Sequence, residues 1–222
     1  MKLDKIVYDF LKQLVVNNNK DWFHANKPMY QKAKSAFEDF VQYLIIELSS
    51  FDDSMKNLYA KDCIFRIFRD IRFANDKTPY KNNFGAYMAP GGRKSIYAGY
   101  YFHVEPDNSF VGGGIYCPKS AQLLAVRNVI FNNPESFKSI IDQKEFRKYF
   151  PQISGEKLKA APRGFSKSFP DIELLKYKSY TFITPVSDKM LQEKNISDYI
   201  MNAFTKLKTA NDFINQAINS SE

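Results

Sequence analysis

The stretch from Phe84 to Tyr116, FGAYMAPGGRKSIYAGYYFHVEPDNSFVGGGIY, decides the fold. Phe84 to Ala89 and Ser95 to Glu105 read as hairpin strands around the turn sequence Pro90-Gly91-Gly92. Phe110 to Tyr116 returns as a third strand after Pro106-Asp107-Asn108. Connections this short exclude a helical crossover, so the strands form an antiparallel meander. Gly112-Gly113-Gly114 weakens pairing in the last strand and marks a bulge, or a close approach of another backbone or a ligand. It does not match a dinucleotide-binding fingerprint.

Immediately upstream, from Asp62, the period is again two: Cys63, Phe65, Ile67 and Ile71 point one way, and Arg66, Phe68, Asp70 and Arg72 the other. This predicts one more strand. It runs into the turn Asp76-Lys77-Thr78-Pro79-Tyr80-Lys81.

Further out the period lengthens to that of a helix. Leu3, Ile6, Val7, Phe10, Leu11, Leu14 and Val15 share one helical face, with Asn17-Asn18-Asn19 as a left-handed stop. Asn26 caps a second helix with Pro28 in its first turn and an inward stripe of Ala33, Phe37, Phe40, Val41, Leu44, Ile45 and Leu48. Downstream, Pro118 opens a helix in which Leu123, Leu124, Ile130 and Phe131 share a face, and Pro134 opens another running to about Tyr149. Gly155 to Pro170 is loop-rich, Leu174 to Thr184 gives a strand, and Ile196, Ile200, Ala203, Leu207, Ala210 and Ile214 define a long terminal helix. Strands in one block and helices in others predict an α+β fold: a single domain spanning residues 1–222, its central meander packed by N-terminal, middle and C-terminal helices.

Composition narrows the function. The 222 residues are 44% hydrophobic and 16% aromatic, enough for a large core, and no apolar run approaches the roughly 20 residues that span a bilayer. The N-terminus lacks the unbroken apolar segment of a signal peptide, so the expected location is the cytoplasm. Two cysteines and two histidines, scattered along the chain, make a poor zinc set, and no metal or cofactor is expected. Cys63 and Cys117 read as buried thiols. A net charge of +8 favours anionic partners, a small molecule or nucleic acid, and with no apolar run long enough to span a bilayer no membrane is expected.

Charge concentrates between Arg66 and Lys81. Alternation places Arg66, Asp70 and Arg72 on one face and Arg69 on the other, as a structural arginine. One reading is a ladder of ion pairs. Another is an anion pocket in which Asp76 and Thr78 order the turn, Pro79 fixes it, and Lys77, Tyr80 and Lys81 project beside the arginines. In the following strand Tyr97, Tyr101, His103 and Glu105 alternate onto one face, so His103 and Glu105 form a candidate acid/base pair. Arg127 falls on an apolar helix face, where its guanidinium wants a carboxylate, Asp70 or Glu105, or a ligand. Arg163 is a cation presented on the Pro162-Arg163-Gly164-Phe165 turn.

Four blocks together resemble a known family: FRDIRFANDKTPYK at 68 to 81, GYYFHVE at 99 to 105, GGGIY at 112 to 116 and PRGF at 162 to 165. They are similar to a family of microbial conserved hypothetical proteins, domain-of-unknown-function family 2461, over roughly Lys20 to Lys208. The resemblance implies one full-length domain and carries over no catalytic residue or cofactor. The family's arginine-rich block matches Arg69, Asp70, Arg72, Asp76, Lys77, Pro79, Tyr80 and Lys81, while Arg163 stands where lysine is usual.

Three readings of function follow from the residues. In the first, Arg66, Arg72, Lys77, Tyr80, Lys81, His103 and Arg127 form a cleft for a phosphate-bearing ligand, with hydrolase or transferase chemistry at His103 and Glu105. In the second the chain is a non-enzymatic nucleic-acid-binding module with stacking surfaces at Phe68, Tyr97 and Tyr101. In the third the charged block is architectural.

Overall fold

The computed structural model describes residues 1–220. In chain order the elements are α1 (Lys5–Val16), α2 (Lys20–Ala25), α3 (Lys27–Leu48), α4 (Ala60–Cys63), β1 (Phe84–Met88), β2 (Gly99–Val104), β3 (Ser109–Ile115), α5 (Ser120–Asn132), α6 (Pro134–Ile141), α7 (Lys144–Arg147), α8 (Ile172–Leu175), β4 (Tyr180–Val186), α9 (Asp188–Leu191) and α10 (Ile196–Asn219). The strands pair antiparallel in the order β1-β2-β3-β4, so the fold is α+β and the expected meander is present, with β4 added beside β3. The described residues cluster into two compact units, Met1–Arg93 with Tyr101–Val111 and Pro185–Asn202, and Lys94–Tyr100 with Gly112–Thr184 and 203–220. Among the described residues no helix is long and apolar enough to cross a membrane.

In the first unit, all seven residues of the expected stripe on α3 are buried. Phe37 lies 5.3 Å from Phe84 and 5.9 Å from Phe102, ring to ring, so α3 covers one face of β1 and β2 with aromatic bulk. Helix α1 packs on α3 through Val7, Phe10, Leu11 and Leu14. Asn17 closes α1 at φ −130, so the expected left-handed stop is not made; its amide Nδ2 instead donates to the Gln13 carbonyl. Helix α2, too short to show a period, is started by Asn19, whose side chain accepts from the Trp22 amide at 2.9 Å.

The strand expected from Asp62 does not form. Cys63 closes α4, and the inward residues that follow, Ile64 and Ile67, are three apart, which breaks the period of two. Only isolated bridges remain, Ile64 to Ala86 and Phe68 to Tyr80. Backbone bonds from Phe65 to Gly85 (2.9 Å), Lys81 to Ile67 (2.8 Å) and Arg69 to Pro79 (3.0 Å) still hold the segment as a broken hairpin arm.

In the second unit the three glycines of β3 admit backbone at close range. A Cβ would lie 2.4 Å from the Phe182 carbonyl at Gly112, 2.5 Å from the Gly99 carbonyl at Gly113 and 2.0 Å from the Tyr180 carbonyl at Gly114. Gly114 also sits at φ +97, which favours glycine. Buried Asn211 of α10 accepts from the Gly114 amide at 3.0 Å and donates to the Gly99 carbonyl at 3.1 Å. The approach anticipated at these glycines is therefore by other strands.

Three further expectations change here. Leu124 and Phe131 are exposed, and the buried face of α5 is Ala125, Val126 and Ile130. Ile172–Leu175 is a helical turn of good helix formers, and the strand begins later, at Tyr180. Cys117 is exposed at φ +47, whereas Cys63 is buried as expected and its thiol is pushed up to about 12, first by burial.

Candidate functional site

Strand β2 has two faces by alternation. Tyr100, Phe102 and Val104 are buried, while Tyr101, His103 and then Glu105 just past the strand end run along the other face. The phenol oxygen of Tyr101 lies 3.0 Å from His103 Nδ1, and His103 Nε2 lies 3.1 Å from Glu105 Oε2. An ionised Glu105 only accepts, so Nε2 carries the proton, Nδ1 is an acceptor, and Tyr101 donates its O–H to it. The three side chains form one relay with a fixed direction.

The surroundings hold that relay in place. The His103 ring is stacked on Phe110 at 4.5 Å and 13°, and is 8% exposed. Burial lowers the imidazole's pKa below 6.5, and its bond to Glu105 opposes this without overcoming it, so His103 is neutral at pH 7. Glu105 is itself fixed by the turn that follows. Pro106 precedes Asp107 at φ +63, Asn108 returns its amide to the Glu105 carbonyl at 3.1 Å, and Asn108 Nδ2 donates to Glu105 Oε2 at 2.9 Å. Ser109 Oγ accepts from the Glu105 amide and donates to its carbonyl. At the other end, Gly85 of β1 makes room for the phenol, since a Cβ there would lie 2.5 Å from the Tyr101 oxygen.

The broken arm brings cations to this face. Phe65 meets the Tyr101 ring edge-on at 6.4 Å, and the Lys81 ammonium sits 5.5 Å from the Phe65 ring centre. Lys81 is half-buried, and its pKa is lowered first by burial and then by the charge of Arg66. Neither Lys81 nor Arg66 makes an ion pair among the described residues. The carboxylates of the block are bonded to other groups, although the Arg66 charge also helps to lower the Asp70 pKa after the bonds from Arg72. Arg72 grips Asp70 with two bonds, 2.9 and 2.7 Å, on the exposed surface. Asp76 is held down to about 2 by the Thr78 amide first and then by Arg69, which also donates to the Thr78 hydroxyl.

The residues singled out from sequence thus separate. Arg66, Lys81, Tyr101, His103 and Glu105 are linked through Phe65 and Phe110. Asp70, Arg72 and Asp76 are taken up in local pairs, and Lys77 donates to the Ile71 carbonyl at 3.1 Å. Tyr80 is 4% exposed and stacked on Phe23 at 4.0 Å, which makes it a core residue of the first unit. Arg127 stands in the second unit and donates to the Tyr177 carbonyl at 2.9 Å; of the partners expected for it, a carboxylate such as Asp70 or Glu105, or a ligand, neither carboxylate is bonded to it. Arg163, also in the second unit, is exposed on a turn closed by Phe165 and Pro162, with Gly164 at φ +90. Phe65, Gly85, Asn108 and Phe110 were not anticipated; the signal for Asn108 was its spacing of three from Glu105 across a proline turn.

The family of conserved hypothetical proteins DUF2461 has a model that matches residues 7–213. The chain belongs to the DUF2461 family. No curated protein and no solved structure matches it. In this DUF2461 chain the matched span takes in the whole relay, the hairpin arm, and Arg127 and Arg163 of the second unit.

Proposed function

We propose that the protein binds an anionic, phosphate-bearing ligand at Arg66 and Lys81, beside the Tyr101–His103–Glu105 relay, and that the relay serves hydrolysis or transfer of that ligand. One observation carries the reading. Lys81 is held half-buried beside a second cation and over an aromatic ring, with no ion pair among the described residues, although carboxylates are present in the same segment. Burying an ammonium next to a like charge is unfavourable unless an anion joins them, and arginine with lysine is a pair suited to phosphate. A neutral imidazole with an ionised carboxylate behind it is the form a general base needs at neutral pH.

One feature favours nucleic acid as the phosphate source: Phe73, at the outer end of the arm, is 95% exposed beside the Arg72 guanidinium. A bare aromatic next to a cation is a base-stacking element.

Calorimetric titration with inorganic phosphate, nucleotides and sugar phosphates tests the proposal. Binding is expected for at least one class, to be lost in the Arg66→Ala, Lys81→Ala double variant, and to persist in Arg72→Ala, whose guanidinium is already paired. Equal affinity in the double variant refutes the site. A log affinity that falls linearly with log salt over several phosphates' worth of slope, for an oligonucleotide alone, assigns the site to nucleic acid.

A further inference from the structure

Helix α5 contains no carboxylate and no lysine, and its one charged residue, Arg127, is half-buried and donates to the Tyr177 carbonyl. Its exposed residues, Ser120, Ala121, Leu124, Asn128, Phe131 and Asn132, are therefore all uncharged, in a chain that is 25% charged. Leu124 is 48% and Phe131 36% exposed. They are seven positions apart, which puts them on one side of the helix, about 10 Å from each other along its axis. The opposite side buries Ala125, Val126 and Ile130. A helix that is apolar on its outer as well as its inner face is one that a further element covers.

What borders this face is positive. Lys119 stands exposed at the start of α5, the end where the helix dipole disfavours a cation. At the other end Phe131 meets Phe165 at 5.4 Å and Phe169 at 4.8 Å, so the loop that carries them is pinned to α5. Cations and rings alternate along it as Arg163, Phe165, Lys167 and Phe169, the rings half-buried on Phe131 and the cations exposed. Backbone bonds of 3.2 Å, from Phe165 to Pro162 and from Phe169 to Ser166, close successive turns, so both cations are presented on a fixed backbone. Residues 157–170 include no Asp or Glu. The flanking carboxylates are engaged: Glu135 and Asp171 pair with Lys138, Glu173 with Lys157 and Lys176, and Glu156 with Lys178. Among the described residues Lys119, Arg163 and Lys167 make no ion pair.

We infer that the outer face of α5 and the loop pinned to it bind an acidic amphipathic helix of a partner protein. The partner's apolar stripe lies against Leu124 and Phe131, and its carboxylates face Lys119 at one end and Arg163 and Lys167 at the other. Charge complementarity selects this occupant. A second copy of this chain, at +8, would bring like charge to a surface that is already positive. A nucleic-acid backbone needs cations along its whole track, whereas the exposed face of α5 between the two ends has none. The two-turn spacing of Leu124 and Phe131 matches the i and i+7 anchors by which one amphipathic helix lies along another surface. The surface belongs to the second unit and does not depend on the anion site proposed in the first.

The test is fluorescence anisotropy with a labelled synthetic peptide of about 18 residues, five helical turns, with leucine along one face and glutamate on the others. One control has the same composition in scrambled order, and a second has lysine in place of glutamate. Wild-type protein is expected to bind the ordered acidic peptide at least about tenfold more tightly than either control. Leu124→Glu removes the apolar anchor, and the Arg163→Glu, Lys167→Glu double variant reverses the loop charge without touching α5. Each is expected to weaken binding about tenfold or more with an unchanged unfolding midpoint, since all three positions are exposed. Arg66→Ala, Lys81→Ala is expected to bind the peptide as wild type does. Absence of binding, equal affinity for the ordered and scrambled peptides, or wild-type affinity in either surface variant overturns the inference. So does tighter binding of oligothymidylate, or of vesicles of equal parts phosphatidylcholine and phosphatidylserine, that is lost in the same variants, because the surface then serves nucleic acid or a membrane.

Discussion

Replacing Lys81 by methionine separates a functional cation from a structural one. Methionine keeps an unbranched stem of similar length and removes the ammonium that sits over the Phe65 ring, and the backbone bond from Lys81 to Ile67 does not depend on the side chain. What the fold loses is the contact of the ammonium with the Phe65 ring, about 0.5 to 1 kcal/mol at a partly exposed site. What it gains is relief from the burial and from the Arg66 charge that together lower the Lys81 pKa, a screened term of about 1 kcal/mol or less. The two nearly cancel, so the urea midpoint converts to a stability change within about 1 kcal/mol of zero. Binding has no such compensation. A hydrogen bond to a charged group contributes about 1.5 to 3 kcal/mol, so phosphate affinity measured by calorimetry falls by about ten- to 150-fold. A Lys81→Met protein that is destabilised by more than about 2 kcal/mol and binds phosphate as tightly as wild type refutes the reasoning, because the ammonium would then be serving the fold.

Other consequences are equally open to measurement. Asn211→Ala removes two buried hydrogen bonds, to the Gly114 amide and the Gly99 carbonyl, and leaves a small cavity; denaturant titration should show a loss of about 3 kcal/mol, and a loss below about 1 would contradict the bridge described. Gly114→Ala places a Cβ 2.0 Å from the Tyr180 carbonyl at φ +97, whereas Gly91→Ala meets nothing within 4 Å at φ +84. Thermal unfolding should therefore show more than about 3 kcal/mol lost at Gly114 and about 1 kcal/mol at Gly91, where only backbone strain applies. His103 binds its proton less readily in the folded state than in the unfolded, so its contribution to stability is complete above about pH 6.5 and is lost as pH falls through the lowered folded value. A stability profile from pH 8 to 5 should decline below 6.5 in wild type and flatten in His103→Gln; an identical slope in both would assign the decline to other groups.

Much of the fold follows from periodicity where burial is one-sided. The stripe of α3 and that of α10 were readable because a single apolar face is buried along many turns, which outweighs local detail. The same logic picked out Tyr101, His103 and Glu105, since a strand covered by α3 on one face must present alternate residues on the other. It failed between Cys63 and Arg72. The spacing of apolar residues there mimics a strand, yet the segment pairs with the chain returning from Pro79 to Ala86 through isolated bridges and scattered backbone bonds, with no continuous ladder. Pairing of charges was the least legible feature. Arg69 and Asp76 are seven residues apart and meet only because the turn folds back. Arg127 illustrates the same point in the second unit, where its bonded partner is the Tyr177 carbonyl, which local spacing does not reveal. Local spacing ranks the charged residues as a group, and tertiary pairing decides which of them stay available.

The ammonium of Lys81 is therefore the group to observe directly. Its titration can be followed through the adjacent methylene carbon by NMR, assigned by the Lys81→Met variant, with and without inorganic phosphate. The account predicts a pKa below 10.5 in the free protein, because burial and Arg66 disfavour the charge, and an upward shift when phosphate is bound. A Lys81 that titrates at its ordinary value and does not respond to phosphate would contradict the anion site.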